Sequence, residues 1–167
     1  MRFLTRDECR DWYTGHGFKL DDKQEPLWPS SEKRSTQQRI PPSFTRLTWF
    51  CKFLEHSLQP RRECLVWVTD WGIWGENLHL YYRLRQSYGD FRLLHEAPGH
   101  LFLDYEGSDL SSFLQVMILC GWDAHLQPYA GYARAFVSHD EIVEFASDDN
   151  NPNLVAEFNT AFVDKSA

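Results

Sequence analysis

What this chain lacks narrows its identity before any motif is found. It has no apolar run of the roughly eighteen to twenty residues that a bilayer crossing takes; Val116-Met117-Ile118-Leu119-Cys120 is among its longest. The opening residues, Met1-Arg2-Phe3-Leu4-Thr5-Arg6-Asp7-Glu8, become charged too early to hold the apolar region of a secretion signal. Cysteine is sparse: Cys9, Cys51, Cys64 and Cys120 form no Cys-x-x-Cys pair, and Cys51 and Cys120 sit among apolar neighbours. That is the setting of buried free thiols in a reducing compartment, which points to the cytoplasm. Also missing are a Gly-rich phosphate loop, a dinucleotide fingerprint, a Gly-x-Ser-x-Gly elbow, zinc-finger spacing and any internal repeat, so no cofactor is implied.

Basic charge is missing from the C-terminal half. Residues 93–167 hold only Arg134 and Lys165 against 12 acids, a net of −10. Residues 1–92 hold 15 Lys/Arg against 12 Asp/Glu, a net of +3, which leaves −7 overall. Nucleic-acid readers need a basic track along the phosphate backbone, so nucleic acid is not an expected partner. An acidic half suits a basic protein partner instead, because opposite charge speeds encounter.

Aromatic residues are abundant: Trp 7, Tyr 7 and Phe 12 make up 16% of 167 residues. Chains this rich in buriable surface fold, and this length suits a single globular domain, 1–167. Thr5-x-x-Glu8 has capping-box form and predicts a helix ending near Gly15 or Gly17. Residues 18–43, with Pro26, Pro29, Pro41 and Pro42, read as a long irregular connection in which Leu27 and Trp28 pin the middle. Ser43 caps a second helix whose Phe44, Leu47, Cys51, Leu54 and Leu58 fall three and four apart, and Pro60 ends it. The continuous run Glu63–Thr69 predicts a strand buried on both faces. Asn77–Tyr88 carries both periodicities; Asn77 as cap and Gly89 as terminator favour helix.

Phe91–His95 and His100–Tyr105 are expected as strands around Ala97-Pro98-Gly99. Leu110–Cys120, capped by Ser108 or Asp109 and closed by Gly121, should be a central helix with Leu114, Met117 and Ile118 in the core. Trp122–Gln127 and Tyr132–Val137 read as a strand pair around Pro128-Tyr129-Ala130-Gly131. Ser138-x-x-Glu141 is expected to open a short helix through Phe145, and a last helix to begin near Pro152. The sum is an α+β fold with a mainly antiparallel sheet of about four to six short strands and helices packed against it.

Four groupings could carry chemistry. His95-Glu96-Ala97-Pro98-Gly99-His100 is not the helical His-Glu-x-x-His of zinc proteases, because its histidines are five apart across a Pro-Gly break. A turn could still gather His95, Glu96, His100 and Asp104 as nitrogen and oxygen metal ligands, which would imply a metal-dependent hydrolase-like enzyme. Strand alternation instead places His100 and Phe102 on one face and Leu101 and Leu103 on the other. Ser138-His139-Asp140 is no catalytic triad, since adjacent residues project in different directions. Arg83, Arg85 and Arg92 could clamp an anion with His79 or His95, but on a helix Arg83 and Arg85 diverge by about 200°, and scattered surface ion pairs are the favoured reading. Trp67, Trp71, Trp74 and Trp122 could form a stacking platform, although core packing suits them better.

In general character, this small, acidic, Trp-rich α+β chain is similar to the immunity proteins of bacterial toxin systems. The likeness implies a non-enzymatic immunity or inhibitor role. The acidic residues expected to meet a basic partner are Asp104, Glu106, Asp140, Glu144, Asp148 and Asp149.

Overall fold

Strand-forming segments from the whole length of the chain gather into one antiparallel sheet. The computed structural model describes residues 1–28, 35–59, 62–72, 75–129, 133–147 and 153–162. Seven strands occur among them: β1 (Arg2–Leu4), β2 (Ser35–Arg39), β3 (Glu63–Asp70), β4 (Gly99–Leu103), β5 (Asp123–Pro128), β6 (Ala133–Ser138) and β7 (Ile142–Ser147). Their order across the sheet is β1-β4-β3-β5-β6-β7-β2. The helices are α1 (Arg6–Gly15), α2 (Phe44–Ser57), α3 (Gly75–Ser87), α4 (Gly107–Leu119) and α5 (Leu154–Phe162). The architecture is α+β, with more strands than the four to six read from the sequence.

Strand β3 explains its own composition. It is flanked by β4 and β5, and Cys64, Leu65, Val66, Trp67 and Val68 are all buried. Cys64, Val66 and Val68 face a core shared with Leu47, Phe50 and Leu54 of α2 and Leu110, Leu114 and Met117 of α4. Leu65 and Trp67 face the other way, against Cys9 and Tyr13 of α1. A run apolar at every position is what a strand with two covered faces requires. The Thr5 cap of α1 is complete: Glu8 N donates to Thr5 Oγ1 at 3.2 Å and Thr5 N donates to Glu8 Oε2 at 2.6 Å. All four cysteines are free and buried.

Several expectations are corrected. The irregular connection contains β2, whose polar Ser35-Thr36-Gln37-Gln38-Arg39 has no apolar alternation; β7 supplies its pairing partner. Pro26 is buried, Leu27 is 44% exposed, and Trp28 packs beside His125 and Phe136. Ser138-x-x-Glu141 does not open a helix. Ser138 ends β6 and its Oγ accepts from Asp140 N at 3.2 Å, while Glu141 takes φ +60°. A three-residue loop closed by a left-handed residue is a hairpin connection, and it leads into β7 with Val143 and Phe145 buried.

Phe91–His95 is not a strand but a bend running into a 3-10 turn, Leu94–Glu96. Helix α3 starts at Gly75, so Asn77 lies inside its first turn rather than capping it. Likewise α4 starts at Gly107, straight after a 3-10 turn at Asp104–Glu106, ahead of Ser108 and Asp109. Leu114 and Met117 are fully buried, whereas Ile118 is half-buried. Gly121 takes φ +64° just past α4, as the helix-closing reading required. Phe44 begins the apolar spacing of α2, yet it is 76% exposed. Pro29, the polar stretch 30–34, Pro60, Trp74, Ala130, Gly131 and Pro152 lie outside the described residues.

Candidate functional site

The four candidate metal ligands part company. Alternation along β4 turns His100 into the core, fully buried, while His95 and Glu96 lie exposed on the 3-10 turn before it. Glu96 Oε2 accepts from Leu93 N at 2.7 Å. Asp104 is exposed beyond the far end of β4. Among the described residues, no group of three or more His, Cys, Asp or Glu side chains is placed to share a metal ion.

His100 belongs instead to a buried aromatic cluster. Its ring stacks on Phe113 at 4.4 Å between centroids and meets Phe3 edge-on at 5.5 Å, and its Nε2 is hydrogen-bonded to the Tyr81 hydroxyl. Burial pushes its pKa down to about 3, and the Arg85 charge acts in the same direction. The imidazole is therefore neutral, and its Nε2 and the Tyr81 hydroxyl share one hydrogen bond. Trp67 and Trp122 are fully buried and Trp71 packs edge-on to Trp122 at 4.7 Å, so these rings serve the core rather than an open stacking platform.

The register separates the acidic residues. Leu103, just before Asp104, pairs with Glu63 at one end of β3, while Asp123 pairs with Asp70 at the other. Ala124 then pairs with Val137 of β6, which puts the β6–β7 turn and Asp140 at the Asp70 end. Asp104 and Asp140 are thus on the order of 20 Å apart along the strands. Glu106 is used within the chain: it holds the Met1 amino group and accepts from Leu103 N at 2.8 Å. Glu144 is half-buried in β7, opposite Phe136 of β6 and Gln37 of β2. Asp148 and Asp149 lie outside the described residues.

At the Asp70 end, Asp123 Oδ1 accepts from His139 N at 2.6 Å and contacts His139 Nδ1 at 2.8 Å. The hydrogen bond to Asp123 and its charge, with Asp140 and Asp70 beyond, raise the His139 pKa.

Beside this turn the surface is concave, with apolar residues set among Gln37, Gln38, Arg39 and Arg46. Ile40 N donates to Glu141 O at 2.8 Å, tying the Ile40-Pro41-Pro42 segment to the hairpin turn. Ser43 then caps α2, accepting from Arg46 N at 3.3 Å. Two cavities, about 620 and about 230 Å³, meet along Ile40, Pro41, Pro42 and Glu141. Trp49 lines the larger; Phe44, Leu119 and His139 line the smaller. Phe44 is 76%, Trp49 53% and Leu119 54% exposed.

Sequence reasoning missed this surface, because apolar spacing places Phe44 in line with the other apolar positions of α2 and the Pro-Pro segment reads as part of an irregular connection. The signal available was Pro41-Pro42 directly before a capped aromatic helix start. Against protein-family models, curated proteins and solved structures alike, the chain finds no match, so its geometry alone carries the functional reading.

Proposed function

We propose that this chain is a non-enzymatic protein-binding domain of immunity or inhibitor type. It engages a basic partner on the face formed by the Ile40–Pro42 segment, the start of α2 and the acidic β6–β7 turn. The observation that carries the reading is the exposure of Phe44, Trp49 and Leu119 around two joined cavities. Large exposed apolar side chains grouped at a concavity are the anchors of protein interfaces, and aromatic rings dominate binding energy there. Asp140 and Glu141 on the adjoining turn, with Asp70 and Asp123 behind them, supply the charge that would steer a basic surface. The prolines stiffen the rim, so little ordering is lost on binding. The hydrolase alternative has less behind it, because His95, Glu96, His100 and Asp104 do not converge.

The test is affinity capture from the cell that makes the protein, comparing wild type with a Phe44→Ala/Trp49→Ala double variant and with Asp140→Lys. These side chains are exposed, so the variants should fold. The expected result is one basic protein retained by wild type, released by the double variant, and bound with an on-rate that falls with salt and falls further in Asp140→Lys. Equal retention by all three chains, or an on-rate indifferent to salt, overturns the proposal.

A further inference from the structure

The arginines near the end of α3 are not scattered surface ion pairs. Arg83 is exposed, but Arg85, two residues on, is fully buried. Its guanidinium lies 4.8 Å above the Phe3 ring, and its Nη2 is 3.2 Å from Asp90 Oδ2 without hydrogen-bond alignment. Among the described residues Nε and Nη1 find no hydrogen-bond partner, and Nη2 has its ion pair with Asp90. Asp90 is already committed to Arg92, accepting from its backbone N at 2.9 Å, from Nε at 3.2 Å and from Nη2 at 2.6 Å. Arg92 Nη2 also donates to Phe3 O at 3.0 Å. The two guanidinium groups therefore share one carboxylate.

An arginine cannot shed its proton, and a buried ion with unmet donors costs several kcal/mol. Nearby charges do not meet the need. Glu8 and Glu96 are each spent on a backbone amide, Thr5 N at 2.6 Å and Leu93 N at 2.7 Å, and His100 is neutral. Phe3 and Asp90, the two groups flanking Arg85, form the wall of a cavity of about 580 Å³ that Arg2 and Arg92 also line. Tyr88 and Phe91, 47% and 68% exposed, complete its rim with two rings.

We propose that this cavity binds a small organic anion, a phosphate or carboxylate carried on a flat apolar ring. The oxyanion takes hydrogen bonds from Arg92 and, once the Phe3 ring rotates aside, from Arg85, giving the buried guanidinium an acceptor beyond the Asp90 carboxylate that it shares with Arg92. A guanidinium fork suits either oxyanion, two bonds at a time. The ring lies against Tyr88 and Phe91, which accounts for two large apolar side chains left in water beside a charged pocket. The site stands apart from the partner face, since β1 and β2 are opposite edges of the sheet.

Titrating the full chain with inorganic phosphate, phenyl phosphate, acetate and benzoate at constant ionic strength tests this. The readouts are the thermal midpoint and the arginine side-chain Nε–H resonances. Saturable shifts at Arg85 and Arg92 are expected, with a ring-bearing anion bound about tenfold or more tighter than its ringless counterpart. Phenyl phosphate against benzoate separates a phosphoryl ligand from a carboxylate. Arg92→Gln and Phe91→Ala should each weaken binding while leaving the chain folded. Arg85→Met, which replaces a buried charge with an apolar chain, should fold and lose the ligand-induced rise in midpoint. Absence of saturable binding by all four probes, or binding unchanged in Arg92→Gln and Phe91→Ala, overturns the proposal.

Discussion

Helix α4 offers a graded test of the packing, because three neighbouring apolar side chains meet three environments. Leu114 is fully buried, Ile118 half-buried against the same core, and Leu119 54% exposed. Truncating Leu114 to Ala removes the equivalent of about three methylenes at about 0.8 kcal/mol each, or about 2.4 kcal/mol of transfer free energy. The cavity left behind adds about 24 cal/mol per Å³ that does not collapse, giving a total of about 2–5 kcal/mol. Ile118→Ala should cost less, about 1–2 kcal/mol, since part of its side chain already meets water. Leu119→Ala should stay within about 0.5 kcal/mol, as exposed substitutions do. Urea melts read by circular dichroism measure all three, and unchanged slopes keep the comparison valid. If Leu119→Ala costs as much as Leu114→Ala, the helix is turned differently from the way described, and the face it offers the sheet is wrong.

Acid should weaken the fold through two histidines whose pKa burial lowers, His100 to about 3 and His125 to about 4. The His100 pKa falls from 6.5 to about 3 on burial, so its contribution is complete above the unfolded value and is lost as pH falls towards 3. At pH 5 the unfolded chain gains that proton and the folded chain does not, a loss of roughly 2 kcal/mol from this group. His139, whose pKa is raised beside Asp123, acts with the opposite sign: its contribution is complete below the unfolded value and fades as pH rises through the folded one. Urea melts at pH 7 and pH 5 should show a smaller difference in His100→Phe than in wild type, and equal differences would remove His100 as the cause. At Gly99 an added Cβ would sit 2.2 Å from Cys9 Sγ and 3.0 Å from Leu4 Cβ. Gly99→Ala should therefore cost about 1–3 kcal/mol by overpacking, with Cys9→Ala in the same chain recovering a measurable part. Strict additivity of the two changes would place the strain elsewhere.

Elements governed by neighbours in sequence were legible, and those governed by distant partners were not. The Thr5 cap, the periodicity of α2 and α4 and the two-sided burial of β3 follow from local spacing, and each is present. Ser138-x-x-Glu141 misled because the same serine oxygen that caps a helix also accepts from the amide two residues on, closing a hairpin instead. Strand β2 was invisible because a polar edge strand exists only by virtue of β7 beside it. His100 leaves the ligand set because β4 carries it into the core, while His95 and Glu96 sit on the 3-10 turn before the strand and Asp104 on the one after it. The Arg85–Asp90–Arg92 grouping depended on α3 being helical and on which side of it met Phe3, which no spacing within residues 83–92 encodes. The cavities by Pro41 depend on the pairing of β2 with β7 and on the Ile40 N to Glu141 O bond that extends it, across a hundred intervening residues.

The edges of the sheet also carry a consequence for the order of events at the ribosome. Both edge strands come from the first 39 residues, yet β1 pairs Arg2 with Leu101 and β2 pairs Thr36 with Phe145. Synthesis at about 5–20 residues per second leaves the β2 segment waiting on the order of ten seconds for its partner to emerge. Neither end of the sheet can be sealed while the chain is half made, so closure falls late and the loops to be closed are long. The polarity of Ser35-Thr36-Gln37-Gln38-Arg39 then acquires a second meaning: a waiting strand without apolar side chains is a poor seed for pairing with its counterpart on the next nascent chain.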